Sequence, residues 1–423
     1  MKPVSIGSPD FVRPAAKPAG LDNLARRIVL SRLANIETGQ LVISENGGQA
    51  SYGHAAGEDS LMARLSIENP RFYRDIAFSG AIGAGEAYMQ GYWSCTDLTA
   101  MLRILLQNRD VLQKVDSGAA RLSRPIQKMI HFLNRNTQKG SRRNIAAHYD
   151  LGNDFYGLWL DPSMMYSCAY FDSPDATLAE ASTAKLDRIC RKLKLSPDDS
   201  VIEIGTGWGG FALHAARHYG CHVTTTTISK RQYDFAKNAV RQAGLQDRIT
   251  LLFDDYRDLR GRYDKLVSIE MIEAVGHEFQ ATFFRKCCEL LKPDGQMLLQ
   301  AITIADQRYD QYKTDVDFIK RYIFPGGCLT SVTDMSRTMT KHTDMRVIHL
   351  EDIGPHYATT LRRWHDRFFE RIDEIRALGY SETFIRMWQY YLCYCESAFL
   401  ERATGTVQML MMRPDARRDS IRY

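Results

Sequence analysis

The chain of 423 residues lacks the long apolar run of a membrane-spanning protein and the paired cysteines of a disulfide-rich one. No stretch reaches the roughly 18–20 apolar residues that cross a bilayer, and the N-terminus lacks the charged-then-apolar layout of a signal peptide. Nine cysteines without a C-x-x-C pair argue against a disulfide framework or a structural zinc site. We therefore expect a cytoplasmic protein with reduced thiols and no metal site.

The sequence also lacks a strong charge imbalance and any depletion of apolar residues. Its 55 basic and 50 acidic residues leave a net charge of +5, so only local basic clusters could indicate an anionic partner. An apolar share of 44% and a charged share of 25% are ordinary for a folded globular protein. Because domains typically run to about 100–200 residues, this length indicates two domains.

The first part of the chain predicts a small mixed α+β domain over residues 21–108, after a flexible start over residues 1–20. Short apolar runs separated by glycines between residues 39 and 74 predict strands joined by turns. Residues 80–108 are predicted to be helical. The domain begins with a predicted amphipathic helix over 21–36, whose apolar stripe comprises Leu21, Leu24, Ile28 and Ile36.

Residues 109–145 form a predicted linker that is rich in basic residues and poor in acidic ones. Apolar residues lie between the basic ones, and this mixture is typical of a basic amphipathic helix on an anionic lipid surface. A solvated helix packed on its own protein fits the same pattern, so the sequence leaves both interpretations open. The basic residues are Arg121, Arg124, Lys128, Arg135, Lys139, Arg142 and Arg143, and the apolar ones are Leu122, Ile126, Met129, Ile130, Phe132 and Leu133.

From residue 177 onward, helical and strand patterns alternate along the chain. Such alternation predicts an α/β fold with a doubly wound, mainly parallel sheet. We assign residues 146–413 to this domain and residues 414–423 to a C-terminal tail. Helices are predicted over 178–193, 209–219, 230–243 and 280–291, and strands over 200–204, 222–227, 249–253, 265–269 and 296–302.

An apolar strand runs into a glycine turn at Val201–Gly210, and a helix follows. Gly205 and Gly207 allow a tight turn and a close approach to a ligand, and Glu203 can bind a charged or hydroxylated group. A nicotinamide or flavin fingerprint is the alternative. However, G-x-G-W-G, which includes Trp208, with an acid two residues before the first glycine is the first motif of S-adenosylmethionine methyltransferases. The motif therefore predicts a seven-stranded, Rossmann-like methyltransferase domain with S-adenosylmethionine as its cofactor.

Residues after the second and third predicted strands supply further groups for this cofactor. Thr227, Ile228 and Gln232 follow the second strand, where the ribose and methionine parts are expected. After the third strand, Asp255 could hydrogen-bond the adenine amine and Tyr256 could stack on the ring. Both segments therefore extend the predicted cofactor site along the same edge of the sheet.

Several separated motifs over residues 143–399 resemble those of the cyclopropane fatty acid synthase family, which includes the mycolic acid cyclopropane synthases. The first of these motifs is particularly specific. Residues 39–108 are also similar to the N-terminal extension of some family members. The motifs are HYDLGNDFYGLWLDPSMMYSCAYF (148–171), EIGTGWGG (203–210), ISKRQ (228–232), EMIEAVGHE (270–278), IFPGGCL (323–329) and PHYATTL (355–361).

The resemblance implies methyl transfer from S-adenosylmethionine to a cis double bond in an acyl chain of a membrane phospholipid. The resulting carbocation then loses a proton from the new methyl group and closes a cyclopropane ring. Family members hold a bicarbonate ion as the base for this step. The pattern also implies that Tyr166 and Ser167 contact the cofactor from the opposite side. The residues that it places around the bicarbonate are Cys168 and Ile302, through their backbone N–H groups, together with Glu273 and Tyr357.

Two departures from the family pattern are visible. The common F-E-H is I-E-A at residues 272–274, and the common L-H-T-I is L-Q-A-I at residues 299–302. Gln300 thereby replaces a histidine expected to contact the bicarbonate. Its amide can donate a hydrogen bond but cannot carry a positive charge or shuttle a proton. A relative that makes a methyl- or methylene-branched chain would share almost every motif, so bicarbonate use and ring closure stay open while methyl transfer is expected.

The alkene chemistry itself makes demands on the site. An alkene is a weak nucleophile, so its attack on a sulfonium methyl group needs alignment and shelter from water. Segments 313–324 and 361–400 are predicted to cover the substrate. We interpret Glu270 and Glu278 as structural or solvent-facing acids, and Cys168 as a backbone donor rather than a nucleophile. The aromatic residues that could line an apolar pocket and stabilise a cation, or else belong to the core, are Tyr170, Phe171, Tyr309, Tyr312, Tyr322 and Phe324.

Three classes of function fit the sequence. A lipid-modifying enzyme would bind unsaturated phospholipid and associate peripherally with the inner face of the membrane. A nucleic-acid or small-molecule methyltransferase would need base-flipping or amine-binding motifs, and no N-P-P-Y or D-P-P-Y tetrapeptide occurs. A non-catalytic lipid-binding relative would not need Gly205, Gly207, Glu273 and Tyr357. We therefore predict the lipid-modifying enzyme, without a nucleic-acid partner, and the sequence leaves monomer and homodimer open.

Overall fold

The chain divides into two compact units, residues 1–123 and residues 124–423. The computed structural model describes residues 20–55, 57, 60–109, 136–138, 140, 141, 144 and 151–417. The predicted flexible start, most of the predicted basic linker and the end of the predicted tail lie outside these residues. In the part described, no helix is long and apolar enough to cross a membrane.

The N-terminal unit contains α1 (Gly20–Leu33), β1 (Gly39–Glu45), β2 (Gly48–His54), β3 (Met62–Ile67), α2 (Arg71–Met89), β4 (Trp93–Cys95) and α3 (Leu98–Gln107). Its strands form one sheet in the order β2-β1-β3-β4. β1 pairs antiparallel with β2 and parallel with β3, and β3 pairs antiparallel with β4. The predicted mixed α+β unit is therefore confirmed, although β4 interrupts the helix predicted over residues 80–108.

Helix α1 buries a different stripe from the predicted one. Ala25, Val29 and Leu33 are buried, whereas Leu21 and Leu24 are 62% and 55% exposed. Both sets of residues recur at helical spacing, so periodicity alone could not distinguish the two faces. The predicted apolar stripe was therefore wrong within the helix, although Ile36, which follows the helix, is buried as predicted.

The C-terminal unit is built on a seven-stranded sheet. Its strands are β5 (Ser200–Ile204), β6 (His222–Thr226), β7 (Ile249–Leu252), β8 (Tyr263–Ile269), β9 (Leu291–Ile304), β10 (Arg346–Asp352) and β11 (Thr404–Met412). The order across the sheet is β10-β11-β9-β8-β5-β6-β7. The central strands β5 to β9 pair in parallel, and β11 runs antiparallel to both β9 and β10. This arrangement confirms the predicted doubly wound, mainly parallel methyltransferase fold.

Helices cover the sheet and continue the chain beyond it. They are α4 (Asn153–Trp159), α5 (Leu178–Leu193), α6 (Gly210–Tyr219), α7 (Lys230–Gln242), α8 (Gln280–Leu290), α9 (Asp306–Tyr312), α10 (Val332–His342), α11 (Gly354–Glu370), α12 (Ile372–Ala377) and α13 (Glu382–Leu400). Short 3₁₀ turns follow β7 and β8, at Tyr256–Asp258 and Ile272–Ala274. Segment 361–400, which is predicted to cover the substrate, lies mainly in α11, α12 and α13.

The core explains why these segments fold in this way. Helix α5 begins with a capping box in which Thr177 and Glu180 bond each other's backbone N–H groups. Its Ile189 and Leu193 pack with Val201 of β5 in one buried cluster. Because helices bury both faces of a parallel sheet, most residues of β5 and the middle residues of β8 are buried. The carboxyl ends of the central strands form the edge at which the candidate site lies.

Candidate active site

The carboxyl ends of β5 to β8 border one cavity. Ligands of open α/β sheets bind at this edge, where the order of strands reverses. All eleven residues predicted to bind the cofactor line the cavity, although their role in binding stays a prediction. These residues are Tyr166, Ser167, Glu203, Gly205, Gly207, Trp208, Thr227, Ile228, Gln232, Asp255 and Tyr256.

The glycine turn after β5 has a backbone that only small residues allow. Gly205 and Gly207 have φ angles of 104° and 54°, in the left-handed region. The Gly205 N–H donates to the carbonyl oxygen of Thr226 at 3.1 Å, which ties the turn to the end of β6. A Cβ atom on Gly205 would lie 3.2 Å from the side chain of Met271. The turn therefore excludes a side chain at residue 205 and keeps that wall of the cavity open.

Glu203 places a carboxylate at the end of β5. Its side chain is buried and accepts a hydrogen bond of 2.6 Å from the Thr225 hydroxyl. Burial raises the pKa of Glu203 to about 8, although the Thr225 hydrogen bond and the charge of Lys185 oppose the rise. A hydroxylated or cationic substrate in the cavity would stabilise the ionised carboxylate.

We expect Glu203→Gln to stabilise the protein without ligand and to weaken its binding of S-adenosylmethionine. The pKa of Glu203 in the folded protein lies above the ordinary value of 4.5. The stability that the neutral side chain contributes is therefore fully present below pH 4.5, and it is lost as the pH rises through the folded-state pKa of about 8. The variant should therefore melt at least about 2 °C higher than wild type near pH 8. Affinity for S-adenosylmethionine should fall by about tenfold or more, because a charged hydrogen-bond acceptor is lost.

Differential scanning fluorimetry across pH and isothermal titration calorimetry check these two expectations. At pH 5 both proteins carry a largely neutral group at residue 203, so their melting temperatures should nearly coincide there. If the variant melts no higher than wild type near pH 8, burial does not raise the pKa of Glu203 in the folded protein.

The loop after β6 is fixed by hydrogen bonds between its own polar side chains. The Thr227 hydroxyl donates to Oε1 of Gln232 at 3.0 Å and accepts from the Ser229 N–H at 3.1 Å. Ser229 also caps α7 by accepting from the Gln232 N–H. These bonds hold Thr227 and Gln232 in place at the cavity wall, together with Ile228 between them.

The loop after β7 differs from the arrangement expected for an adenine site. The carboxylate of Asp255 accepts from Nε of Arg257 at 2.7 Å and from Nη2 at 3.0 Å. The ring of Tyr256 packs edge-on against Phe283 at 5.7 Å and is mostly buried. Asp254, one residue earlier, is exposed and also lines the cavity. Asp255 is therefore already paired, and sequence analysis overlooked Asp254 as a further carboxylate at this wall.

The opposite wall contains Tyr166 and Ser167. The Tyr166 hydroxyl shares a 2.9 Å hydrogen bond with the Tyr391 hydroxyl. The Ser167 hydroxyl accepts a 2.8 Å hydrogen bond from Nζ of Lys185, which is completely buried. Burial lowers the pKa of Lys185 to about 8, and the charge of Glu270 opposes that change. Sequence analysis missed Lys185, which places a buried amine directly behind the cavity wall.

Glu270 is the centre of a hydrogen-bonded group that sequence analysis did not predict. It is half-buried and lines the cavity. Its carboxylate accepts hydrogen bonds from the Cys168 N–H at 2.9 Å, Nε2 of Gln300 at 2.8 Å and the Tyr357 hydroxyl at 2.7 Å. We call these four residues the Glu270 cluster. Glu270 thus faces the cavity and three donors, and its role stays a prediction, whereas Glu278 is exposed as expected.

Cys168 contributes its backbone to this cluster. Its thiol contacts the carbonyl oxygen of Ala169 at 3.2 Å, and the residue is completely buried. Burial raises the pKa of the Cys168 thiol well above its ordinary value, and the charge of Glu270 raises it further. A neutral, buried thiol is a poor nucleophile, in agreement with the predicted role as a backbone donor.

Glu273 forms a second carboxylate site next to the first. Its Oε1 accepts from the Ile302 N–H at 2.6 Å, and its buried Oε2 has no hydrogen-bond partner among the described residues. Burial raises the pKa of Glu273 to about 8, and the charge of Glu270 adds to the rise. The predicted pair of Glu273 and Ile302 is thus brought together, but Glu273 is absent from the described lining of the cavity.

A chain of buried amides fixes the orientation of Gln300. Nζ of Lys192 donates to Oε1 of Gln408 at 2.6 Å, and Nε2 of Gln408 donates to Oε1 of Gln300 at 3.0 Å. Because an ammonium group can only donate, the atom of Gln408 that faces Lys192 must be its oxygen. Each amide then has one orientation, and Gln300 presents its nitrogen to Glu270. We call Lys192, Gln408 and Gln300 the amide relay.

The six aromatic residues predicted for a substrate pocket lie in different parts of the C-terminal unit. The ring of Phe324 lies 6.3 Å from that of Tyr166, beside the cofactor wall. Tyr166 also contacts Trp364 at 5.2 Å, which adds an aromatic residue that sequence analysis did not select. The other five are absent from the described cavity lining and contact other residues: Tyr170 and Phe171 contact His356, Tyr309 contacts Gln280, Tyr312 contacts Lys320, and Tyr322 contacts Phe318.

A family model described as mycolic acid cyclopropane synthetase matches residues 136–409. That range contains the glycine turn, the Glu270 cluster and the amide relay. The chain belongs to this family. It is an S-adenosylmethionine-dependent methyltransferase of the cyclopropane synthetase family, and the resemblance found in its motifs is confirmed.

Relatives of this chain differ in the reactions that their names describe. The tuberculostearic acid methyltransferase of Mycobacterium tuberculosis is 37% identical over 86% of this chain and 86% of its own length. The cyclopropane-fatty-acyl-phospholipid synthase of Escherichia coli is 38% identical over 84% of this chain and 89% of its own. A mycolic acid cyclopropane synthase solved with SAH and CTAB is 31% identical, with a TM-score of 0.60 over 64% of this chain and 98% of its own.

One signal in the sequence could have identified Glu270. It directly follows Ile269, the last residue of β8, whereas Glu273 lies one 3₁₀ turn farther along. The residue immediately after a parallel strand is the one nearest the ligand crevice. Position relative to the strand end therefore favours Glu270, while motif matching alone selected Glu273.

Proposed function

We propose that this protein transfers a methyl group from S-adenosylmethionine to the cis double bond of an unsaturated acyl chain in a membrane phospholipid, giving a cyclopropane ring. One observation supports this most strongly: Glu270, the centre of the cluster, lines the same cavity as the glycine turn. A proton acceptor thus lies beside the expected place of the methyl donor. The name of the Escherichia coli relative supports phospholipid as the substrate class.

The position of this carboxylate suits an alkene better than an amine or a hydroxyl group. An amine must lose its proton around the time of methyl transfer, whereas an alkene has no such proton and yields a carbocation. That cation needs an apolar, water-poor site, and aromatic faces stabilise it. Tyr166, Trp364 and Phe324 supply such faces next to the cofactor wall. A base is required only afterwards, to remove a proton from the methyl group that has been added.

The bicarbonate ion implied by the family resemblance does not fit the described site. Its expected donors, the Cys168 N–H, the Tyr357 hydroxyl and the Gln300 amide in place of a histidine, all bond Glu270. The remaining expected donor, the Ile302 N–H, bonds Glu273. An added anion would also lie next to two acidic side chains, which is electrostatically unfavourable. We therefore include no bicarbonate in the proposed reaction.

A methyl- or methylene-branched product is the second candidate. The branching reaction begins with the same methyl transfer. It differs from ring formation because a hydride shifts within the carbocation before a proton is lost. The identity of 37% to a tuberculostearic acid methyltransferase favours this candidate about as much as the 38% identity to the Escherichia coli synthase favours a ring. Either reaction would take place at the inner face of the membrane, with the protein bound peripherally.

The test is mass spectrometry of phospholipid vesicles after incubation with the protein and S-adenosylmethionine, with ozonolysis to locate remaining double bonds. Dioleoyl phospholipid vesicles supply the cis double bond, and dimyristoyl vesicles are the saturated control. We expect a gain of one CH₂ and loss of the double bond with the first lipid, and no change with the second.

Each other outcome of this assay has a separate meaning. A gain of one CH₂ with a double bond retained would indicate the methylene-forming reaction. A gain without a double bond but with two extra hydrogens would indicate a methyl branch and a required reductant. No gain in either lipid would contradict the proposed function and favour a methyltransferase that acts outside lipids.

A further inference from the structure

The backbone at Glu270 has a conformation that disfavours a side chain. Its φ angle is 49°, in the left-handed region that glycine adopts most easily. Such strain in a residue other than glycine persists only when the surroundings hold it in place, and it concentrates at functional sites. The side chain of Glu270 is therefore kept here despite a local cost in free energy.

The hydrogen bonds of Glu270 define what its carboxylate can do. An ionised carboxylate offers about four lone-pair positions, and the Glu270 cluster uses three of them among the described residues. All three donors favour the ionised form and oppose the effect of burial, which raises the pKa of Glu270. Glu270 also lines the cavity. One acceptor position of an oriented carboxylate is thus left for a proton from a group in the cavity.

We propose that the Glu270 carboxylate is itself the base of this reaction and occupies the place that the family gives to bicarbonate. This inference rests on the proposed function. The π electrons of the alkene form a bond to the methyl carbon, the methyl–sulfur bond breaks, and neutral S-adenosylhomocysteine leaves. A C–H bond of the new methyl group then breaks, its electron pair closes the ring, and the proton moves to Glu270. Glu270 later releases this proton to water.

Glu273 is less suited to this role than Glu270. A single backbone N–H bonds its carboxylate, and the described cavity lining contains Glu270 but not Glu273. Two carboxylates this close do not ionise independently, so the one with more donors holds the negative charge. Glu273 is therefore a positioning residue that holds the Ile302 backbone. Its raised pKa keeps it largely neutral beside the charged base.

The test compares wild type with Glu270→Gly in buffer freed of carbon dioxide, with and without added bicarbonate or formate. We expect wild type to turn over equally well in all three conditions. Glycine relieves the strained φ angle and leaves the three donors around an open space. Without an added anion the variant should lose about 10²–10⁴-fold in kcat. Added bicarbonate or formate should restore activity by at least about tenfold, because the anion fills the vacated place.

Two further variants separate the loss of a base from damage to the fold. Glu270→Gln keeps the side-chain volume but cannot take up a proton, so it should be inactive and unresponsive to either anion. Glu278→Gln changes an exposed acid of the same segment and should resemble wild type. Affinity for S-adenosylmethionine, measured by calorimetry, should stay within about threefold of wild type in all three variants, a difference below 1 kcal/mol.

The outcomes distinguish this inference from the proposed function. Wild type that adds no CH₂ to dioleoyl vesicles would contradict both. Wild type that works on the lipid but requires bicarbonate would overturn the role of Glu270 alone. The same conclusion would follow if Glu270→Gly or Glu270→Gln matched wild type in the buffer freed of carbon dioxide. Anion rescue of the glycine variant but not of the glutamine variant would establish Glu270 as the base.

Discussion

Gly205→Val is expected to weaken the binding of S-adenosylmethionine by at least roughly 30-fold. A β-branched side chain at a φ angle of 104° is strained by about 1–3 kcal/mol, and its Cβ would meet Met271 at 3.2 Å. Overpacking of this kind adds about 1–3 kcal/mol. Because the cavity lies next to the turn, the backbone can relieve both effects by moving into the space where the cofactor would bind. Affinity should then fall by roughly 30-fold to more than 1,000-fold.

Gly244→Val is the matched control for this substitution. Gly244 has a φ angle of 68°, a Cβ atom added to it would meet no described atom within 4 Å, and it is absent from the described cavity lining. Valine there produces a similar backbone strain away from the site. Both variants should therefore lose stability, but only Gly205→Val should lose affinity in isothermal titration calorimetry. Equal affinities would mean that the glycine turn does not contact the cofactor.

The sequence predicted the part of the fold that depends on local patterns. The strand at Ser200–Ile204 and the helix at Leu178–Leu193 have the predicted bounds, because apolar runs and a capping box mark them locally. Strands β10 and β11 were not located individually. Their residues are partly polar, and pairing identifies them as strands, since β11 pairs with β9 and β10 pairs with β11. Local patterns do not contain that information.

The same distinction applies to the candidate site. The glycine turn was predictable because its chemistry lies within one short segment. The Glu270 cluster instead unites groups from β9, α11 and the loop before α5 around one carboxylate, and a positive φ angle aims that carboxylate. Motif matching identified most of the donors but assigned them to an external ion. It could not show that a side chain of the chain itself already occupies their centre.

The amide relay extends this site to residues that touch neither substrate. Gln408 pairs directly with Gln300 across β11 and β9, and both are completely buried. Lys192 is held between Gln408 and Glu351, so its position does not depend on the cavity. A change in the relay should therefore alter the base without altering the binding of S-adenosylmethionine.

Gln408→Glu should turn the Gln300 amide around and weaken the base. A glutamate at residue 408 still accepts from Lys192, but it faces Gln300 with an oxygen. Gln300 would then direct its nitrogen towards residue 408 and its oxygen towards Glu270. The lost hydrogen bond to a charged acceptor is worth about 1.5–3 kcal/mol, which corresponds to a rise of roughly one to two units in the pKa of Glu270. Since the base must be ionised, the acidic limb of the pH–kcat profile should move to higher pH by that amount.

Gln408→Met is the control, because it removes the hydrogen bond to Gln300 without forcing the amide to rotate. Its acidic limb should stay near that of wild type, while its stability falls by about 1–3 kcal/mol owing to the unpaired oxygen of Gln300. KM for S-adenosylmethionine should be unchanged in both variants, since Gln408 is absent from the described cavity lining. A fall in kcat without a shift of the acidic limb in Gln408→Glu would mean that the relay supports the fold and does not tune Glu270. A shift confined to the glutamate variant would show that a lysine and two amides, placed by an antiparallel strand, set the protonation of the base.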